Sequence, residues 1–395
     1  MSKTILYFLA FISLGLVSGS LGPTIPALAA QTASQMHEIS GLFIIRSLGT
    51  MAGAVLIGRF YDRIPGHPLL AASLLASAAM MALTPMTHAL WMLLALSVFL
   101  GVAGGSINVG GNALIVLEHG ERVRPFMSAL HFAFGLGGLL APILFTQFLG
   151  RANALQLTYW TLAALTIPTA LLLLFAQSPR VGPHEERQSA TPLPPVTLGL
   201  FLLFFFLEVG AEASVMGWYF SYAVERGVAE QTAGLMNSGF WAAFTLGRLA
   251  TIWLSLRVKA ILVIFAQLCL AILIAISMLA LPASTALLWM GSIGFGLAVA
   301  PIFPSTFGYA QRLLGLSGKL TGYFLVGSAA GGMFWPWLIG QFFQSQGPQV
   351  MIYVALFDLA GALIAIFILH ELNLRSAAEN TTMAEAMQEG QTEPL

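Results

Sequence analysis

The sequence predicts an all-α membrane protein: twelve transmembrane helices in two pseudo-symmetric six-helix bundles, with both termini cytoplasmic. Three observations predict it. Of the 395 residues 58% are hydrophobic, with a mean hydropathy of +0.86 and no strand-like alternation, as lipid-facing helices require. Apolar segments number twelve, each near or above the ~20 residues that span a bilayer. Finally, positions in the first half recur in the second.

The first segment, 4–30, follows Lys3 and imitates a signal peptide, with Ala27-Leu-Ala29 as a mock cleavage site. It is longer than a signal core, and removing it would leave an odd number of spans, so it reads as the first membrane helix. The second, 38–60, carries Arg46 in its apolar run. It ends in a polar hinge, Gly58-Arg-Phe-Tyr-Asp62-Arg63-Ile-Pro-Gly66-His67, in a chain of which only 8% is charged. Such density at a helix end is either a topology anchor or a conformational latch, with Gly58, Asp62, Arg63 and Gly66 as its candidates.

After segment 68–87, segment 89–117 places Asn108 and Asn112 on one helical face among five glycines. Paired carboxamides can serve the hydroxyls of a sugar or bond helix to helix. His131 lies one to two turns inside segment 125–149, as a proton relay or a histidine bonded to a backbone carbonyl. Segment 155–176 closes the first bundle (1–176). Residues 177–195, rich in Pro, Glu and Arg, read as a cytoplasmic linker.

Segment 196–223 opens the second bundle (196–372) and holds Glu208 and Glu212, four residues apart, with Tyr219 and Tyr222 on about the same face. At ~1.5 Å per residue from Pro195, the carboxylates lie ~20 and ~25 Å deep. A carboxylate in hydrocarbon costs ~2.5–3.5 kcal/mol and needs a partner, a watery cavity or a function. These two can take up a proton, ligate a cation, accept from hydroxyls or pair with Arg46. Segment 230–254 shows Asn237, Trp241, Thr245 and Arg248 at helical spacing, with Trp241 either a platform for a pyranose ring or packing. Segments 259–281, 284–311 (with Pro301 and Pro304), 317–343 and 348–370 follow. Asp358, in the last, reads as paired with Arg46, in a buried charge pair, or with a neighbouring helix. Residues 373–395, polar and acidic, read as a disordered cytoplasmic tail.

The repeat supports two bundles. Gly137-Gly138-x3-Pro142-x4-Gln147-Phe148 recurs as Gly331-Gly332-x3-Pro336-x4-Gln341-Phe342, an offset of 194 throughout. Gly58-Arg59 recurs as Gly247-Arg248, an offset of 189. With the N-terminus inside, thirteen of the sixteen Lys and Arg residues fall on the cytoplasmic face; Arg151 and Arg226 lie outside and Arg46 is buried. Charge excludes other classes: sixteen acids cancel sixteen bases, and no basic patch points to nucleic acid. The single Cys269 forbids an intrachain disulfide, no Walker loop points to ATP, and no metal or nucleophile constellation points to an enzyme. No cofactor is expected.

The hinge resembles the loop between helices 2 and 3 of the major facilitator superfamily of secondary transporters, with His67 where that family usually has Arg or Lys. The resemblance implies a monomer in the inner membrane that works by alternating access, with the aspartate holding one gate. The stretches Val209-Gly-Ala-Glu212 to Tyr222-Ala, Asn108-Val-Gly-Gly-Asn112 and Ala129-Leu-His131 to Gly137 are similar to the fucose–proton symporter family, particularly its sodium-dependent glucose transporter branch. That implies uptake of a monosaccharide or polyol coupled to H+ or Na+, with Asn108, Asn112, His131 and Glu212 in the central cavity. The fucose symporters are expected to use acids in helices 1 and 4, absent here, so coupling falls to Glu212 or Glu208, or the ion is sodium. The rival is a proton-coupled drug or metabolite efflux antiporter, whose cavity favours aromatic and Met surfaces. Its Gly-Pro mark in helix 5 fits Ala141-Pro142 poorly.

Overall fold

Hydrocarbon leaves no water to satisfy backbone groups, so the chain must be helical wherever it crosses. A computed structural model describes residues 2–61, 63–179, 195–254, 256–281, 284–314 and 318–390, without the side chains of Arg124, Lys319, Thr321 and 375–390. Asp62 and residues 180–194 of the linker therefore lie outside the described residues, as do 391–395.

Twelve long helical segments occupy the expected positions. They are α1 Lys3–Gln31, α2 Met36–Phe60, α3 Gly66–Met86, α4 Leu90–His119, α5 Val123–Phe148 and α6 Ala154–Phe175. The second set is α7 Pro195–Glu225, α8 Glu230–Leu254, α9 Ala260–Ala280, α10 Thr285–Leu314, α11 Gly318–Gln346 and α12 Val350–Gly390. Among the described residues ten are long and apolar enough to cross a membrane; α8 and α11 are not among them. These two have the length but spend polar residues on neighbouring helices: Asn237 Nδ2 donates to Met216 O (3.3 Å) and Gln341 Nε2 to His37 O (2.9 Å). The tail departs from expectation, since 373–390 continue α12. Its Ala, Glu, Met and Gln residues are good helix formers, and extending an existing helix avoids the nucleation cost.

In the first half α1 lies along α5, α2 along α4 and α3 along α6; in the second, α7 along α11, α8 along α10 and α9 along α12. Small residues permit these approaches. A Cβ on Gly49 or Gly53 of α2, or on Gly101 or Gly105 of α4, would run into the facing backbone. The repeated glycines do one job twice: Gly137 lies against the backbone of α1 and Gly331 against that of α7. Proline breaks α10, whose two pieces, Thr285–Val299 and Ile302–Leu314, meet at Ala300–Pro301. Pro142 and Pro336, by contrast, sit inside continuous helices. Near the hinge α2 loosens into a π-helical turn, Gly53–Ile57, and then tightens over Gly58–Phe60.

Candidate functional site: a cavity between the halves

The halves meet toward the end of the bundle remote from the termini. Gly138 of α5 lies under the Trp241 ring of α8, Gly135 against Thr245, and Gly234 against Thr146. Gly22 of α1 backs onto Met216 and Gly217 of α7. At the far end Gly340 of α11 rests on Ser40, and Gln341 Nε2 donates to Ser40 Oγ (3.1 Å) as well as to His37 O. On the terminal side of this seam opens a cavity of about 470 Å³. Its walls come from residues 128–135 of α5, 244–252 of α8, 258–263 around the start of α9 and 303–312 of α10. Leu249, Ile252 and Arg312 are exposed at its mouth. One end is sealed and the other holds a cavity of ligand size.

The cavity's charged residue nearest the seam is Arg248. Its guanidinium lies 4.3 Å over the Phe244 ring, which fixes its direction. Nη2 is 3.8 Å from Glu212 Oε1, an ion pair too long to be a hydrogen bond, and Nε is buried without a partner. The i, i+4 spacing turns Glu208 and Glu212 to the same side of α7, within electrostatic reach of Arg248. Glu208 is 1% exposed and neither of its oxygens has a hydrogen-bond partner. From the first half, His131 lines the same cavity, edge-on to Phe11 at 5.9 Å and within reach of Arg248's charge. This arrangement can exchange the partner of one guanidinium among two carboxylates and an incoming solute.

The other expected residues are distributed differently. Asn112 Nδ2 donates to both Asn108 O and Asn108 Oδ1 at 2.8 Å, so the two amides satisfy each other on one face of α4, outside the described cavity wall. Trp241 is 1% exposed and sealed into the seam with its Nε1 unpartnered, a packing position in this conformation and not an open sugar platform. Asn237 ties α8 to α7. Tyr219 is turned away, its hydroxyl donating to Leu288 O, and Tyr222 is buried beside it with its hydroxyl unpartnered.

The expected Arg46–Asp358 pair is absent. Arg46 Nη2 donates to Val17 O (2.8 Å) and lines a second cavity, of about 210 Å³, between α1, α2 and α7. Asp358 is fully buried beside Gly210 and Trp335, in the other half, with neither oxygen partnered. A helix carbonyl of a neighbouring helix meets the cation, an acceptor that no charge pattern reveals. In the hinge, Gly66 packs against Leu114 and Tyr61, Gly58 against Val109, and Arg63 is exposed. His67 belongs to the fold of the first half: its Nδ1 meets Ala176 O at 3.0 Å and its Nε2 meets Tyr7 Oη at 2.8 Å. Sequence reasoning put Arg248 at the cytoplasmic face as an echo of Arg59. Its place in the polar stripe with Asn237, Trp241 and Thr245 was the signal for the cavity.

Comparison with known proteins agrees with the fold. The family model of the Major Facilitator Superfamily matches residues 5–336. Sodium-dependent glucose transporter 1A of Mus musculus is 29% identical over 377 residues, covering 84% of this chain and 88% of that protein. Sodium-dependent glucose transporter 1 of Xenopus laevis is 29% identical over 369 residues, covering 85% and 75%. Major facilitator superfamily domain-containing protein 4A of Homo sapiens is 25% identical, covering 88% and 87%. Among solved structures, the nucleoside transporter NupG superposes with a TM-score of 0.76 at 15% identity, covering 94% of this chain and 99% of that one. A bacterial homolog of the human lysosomal transporter Spinster, inward-facing and occupied, does so with a TM-score of 0.70 at 13% identity, covering 95% and 96%.

Proposed function

Because this chain belongs to the Major Facilitator Superfamily and is a multi-pass membrane protein, we propose that it moves a monosaccharide or similar small polar solute by alternating access, coupled to H+ or Na+. The observation that carries the reading is the Glu212–Arg248 pair, set between a sealed seam and a cavity that reaches exposed residues. An ionic group at that depth is costly unless it works. In the reading, solute enters from the terminal side, Arg248 and Glu212 change partners, and the halves rock so that the seam opens. The names of the glucose-transporting relatives supply the substrate class, and their sodium dependence supplies one candidate ion.

The matched packing order, α1 with α5 and α7 with α11, supports two pseudo-symmetric bundles, 1–176 and 196–372. The bias of Lys and Arg supports cytoplasmic termini, which makes this conformation inward-facing; the inner membrane and a monomer complete the reading. Asp62 is the latch that holds the terminal side closed in the opposite state, with Arg63 beside it. Asn108 and Asn112, Glu208 and His131 are the polar groups available to solute or ion as the cavity reshapes.

The test is thermal stabilisation of the purified chain by a panel of sugars and drugs, with and without sodium, at two pH values. A sugar-specific shift that depends on sodium or pH supports the reading. One observation favours a second reading, efflux antiport of a lipophilic compound: Phe132, Phe134, Phe244, Phe303 and Phe307 line the cavity. Stabilisation by lipophilic cations, with no response to sugars, would establish that alternative.

A further inference from the structure

The charges that face the two cavities are all of one sign. Among the described lining residues the larger cavity offers Arg248 and Arg312, with His131 as an uncharged polar neighbour, and the smaller offers Arg46 with the hydroxyls of Ser18, Ser47 and Thr50; neither wall includes an acid. Glu212 stands behind Arg248, half-buried, and touches it through a single 3.8 Å contact. A committed structural ion pair between these groups would be bidentate and short, because a guanidinium and a carboxylate match as two parallel forks. Here the fork is unfilled. Nε of Arg248 is buried and donates to nothing, a state that costs free energy until an acceptor arrives. The Phe244 face holds the guanidinium plane in place, so the acceptor's geometry is set beforehand.

A neutral sugar fits this wall less well, since its hydroxyls pair with a guanidinium more weakly than a carboxylate does. The structure assigns a carboxylate-bearing solute to the cavity, bound by the Nη groups of Arg248 in place of Glu212, with the apolar part of the solute against the phenylalanines. This rests on the transporter reading and narrows its substrate from a neutral monosaccharide to a sugar acid or another small organic acid. Glu212 is then the internal competitor that occupies Arg248 loosely when the cavity is empty.

The experiment compares three probes on the purified full chain by thermal stabilisation and competition: glucose, glucuronate, which has the same ring with a carboxylate, and benzoate, a carboxylate without the sugar. We expect glucuronate to stabilise the protein at concentrations where glucose does not. Arg248→Gln should weaken glucuronate about 10–100-fold, the range for losing hydrogen bonds to a charged group. Glu212→Gln, which removes the competitor, should strengthen it. Glucose binding as well as glucuronate would overturn the proposal and leave the sugar reading standing. Glucuronate affinity unchanged in Arg248→Gln would also overturn it. Benzoate binding with Arg248 dependence and no response to either carbohydrate would uphold the carboxylate and remove the sugar. Silence from all three probes would sink both. If Arg248→Gln does not fold, the wild-type comparison of glucuronate with glucose still decides.

Discussion

The two halves differ in how they treat buried polarity. Among the described residues of the first half, the buried polar side-chain atoms inside the membrane are satisfied. Arg46 is bonded to Val17 O, Tyr7 to His67, Thr24 to Tyr159, and Ser73 to Ser106. Among the described residues, the buried side-chain atoms left without a hydrogen-bond partner all belong to the second half, including those of Glu208, Asn237, Trp241, Arg248, Trp335 and Asp358. A folded protein keeps few such groups, because each costs ~1–3 kcal/mol when buried unpaired. Concentrated in one half, they mark where the molecule expects something to arrive: a solute, an ion, a proton or a water. The first half is the scaffold and the second carries the exchangeable contacts.

The largest expected effect is at the Glu212–Arg248 pair. Glu212→Gln should fold and bind solute yet lose transport by 100-fold or more, since an interaction used in turnover at such a site is worth about 3 kcal/mol. Uptake into proteoliposomes measures it, and wild-type uptake by this variant would remove Glu212 from the mechanism. A matching exchange in the scaffold, Thr24→Val, removes the buried bond to Tyr159 and should slow uptake far less. Equal losses would erase the distinction between the halves.

Alternating access gives a nearly equal effect by geometry. The ideal Cβ position at Gly340 falls against Ser40. In a Cys269→Ser background, Ser40→Cys with Gly340→Cys should form a disulfide after slight widening, hold the far end shut and stop transport until reduced. A crosslinked protein that still transports would show that the seam does not open. At the opposite end Asp62→Asn should leave the melting temperature unchanged and slow transport severalfold, read in the same vesicles. Normal uptake would dismiss the latch.

Much of this was legible because membrane burial is coarse. Apolar run length set twelve helices to within a few residues, apart from the C-terminal end of α12, and i, i+4 spacing put Asn108 with Asn112 and Glu208 with Glu212 on one face. What stayed illegible was which faces meet. That Arg248 reaches Glu212 depends on the rotation of α8 against α7, and that Arg46 finds Val17 O depends on α1 passing close beside it. Neither is encoded in one helix's pattern. Tyr219 was on the expected face of α7, but that face turns from the cavity toward α10 higher in the helix, where its hydroxyl meets Leu288 O.

The smallest expected effect concerns stability. Asp358 has no partner to lose, so Asp358→Asn removes a costly buried acid at nearly constant volume. It should leave the melting temperature equal or raise it, while Arg46→Met should lower stability by about 1–3 kcal/mol, because it removes a charged hydrogen bond that ties α2 to α1. Thermal unfolding in one detergent compares them directly. If Asp358→Asn instead destabilises the protein as much as Arg46→Met does, the aspartate has a partner. The second half would then be as fully satisfied there as the first, and the contrast would narrow to the cavity alone.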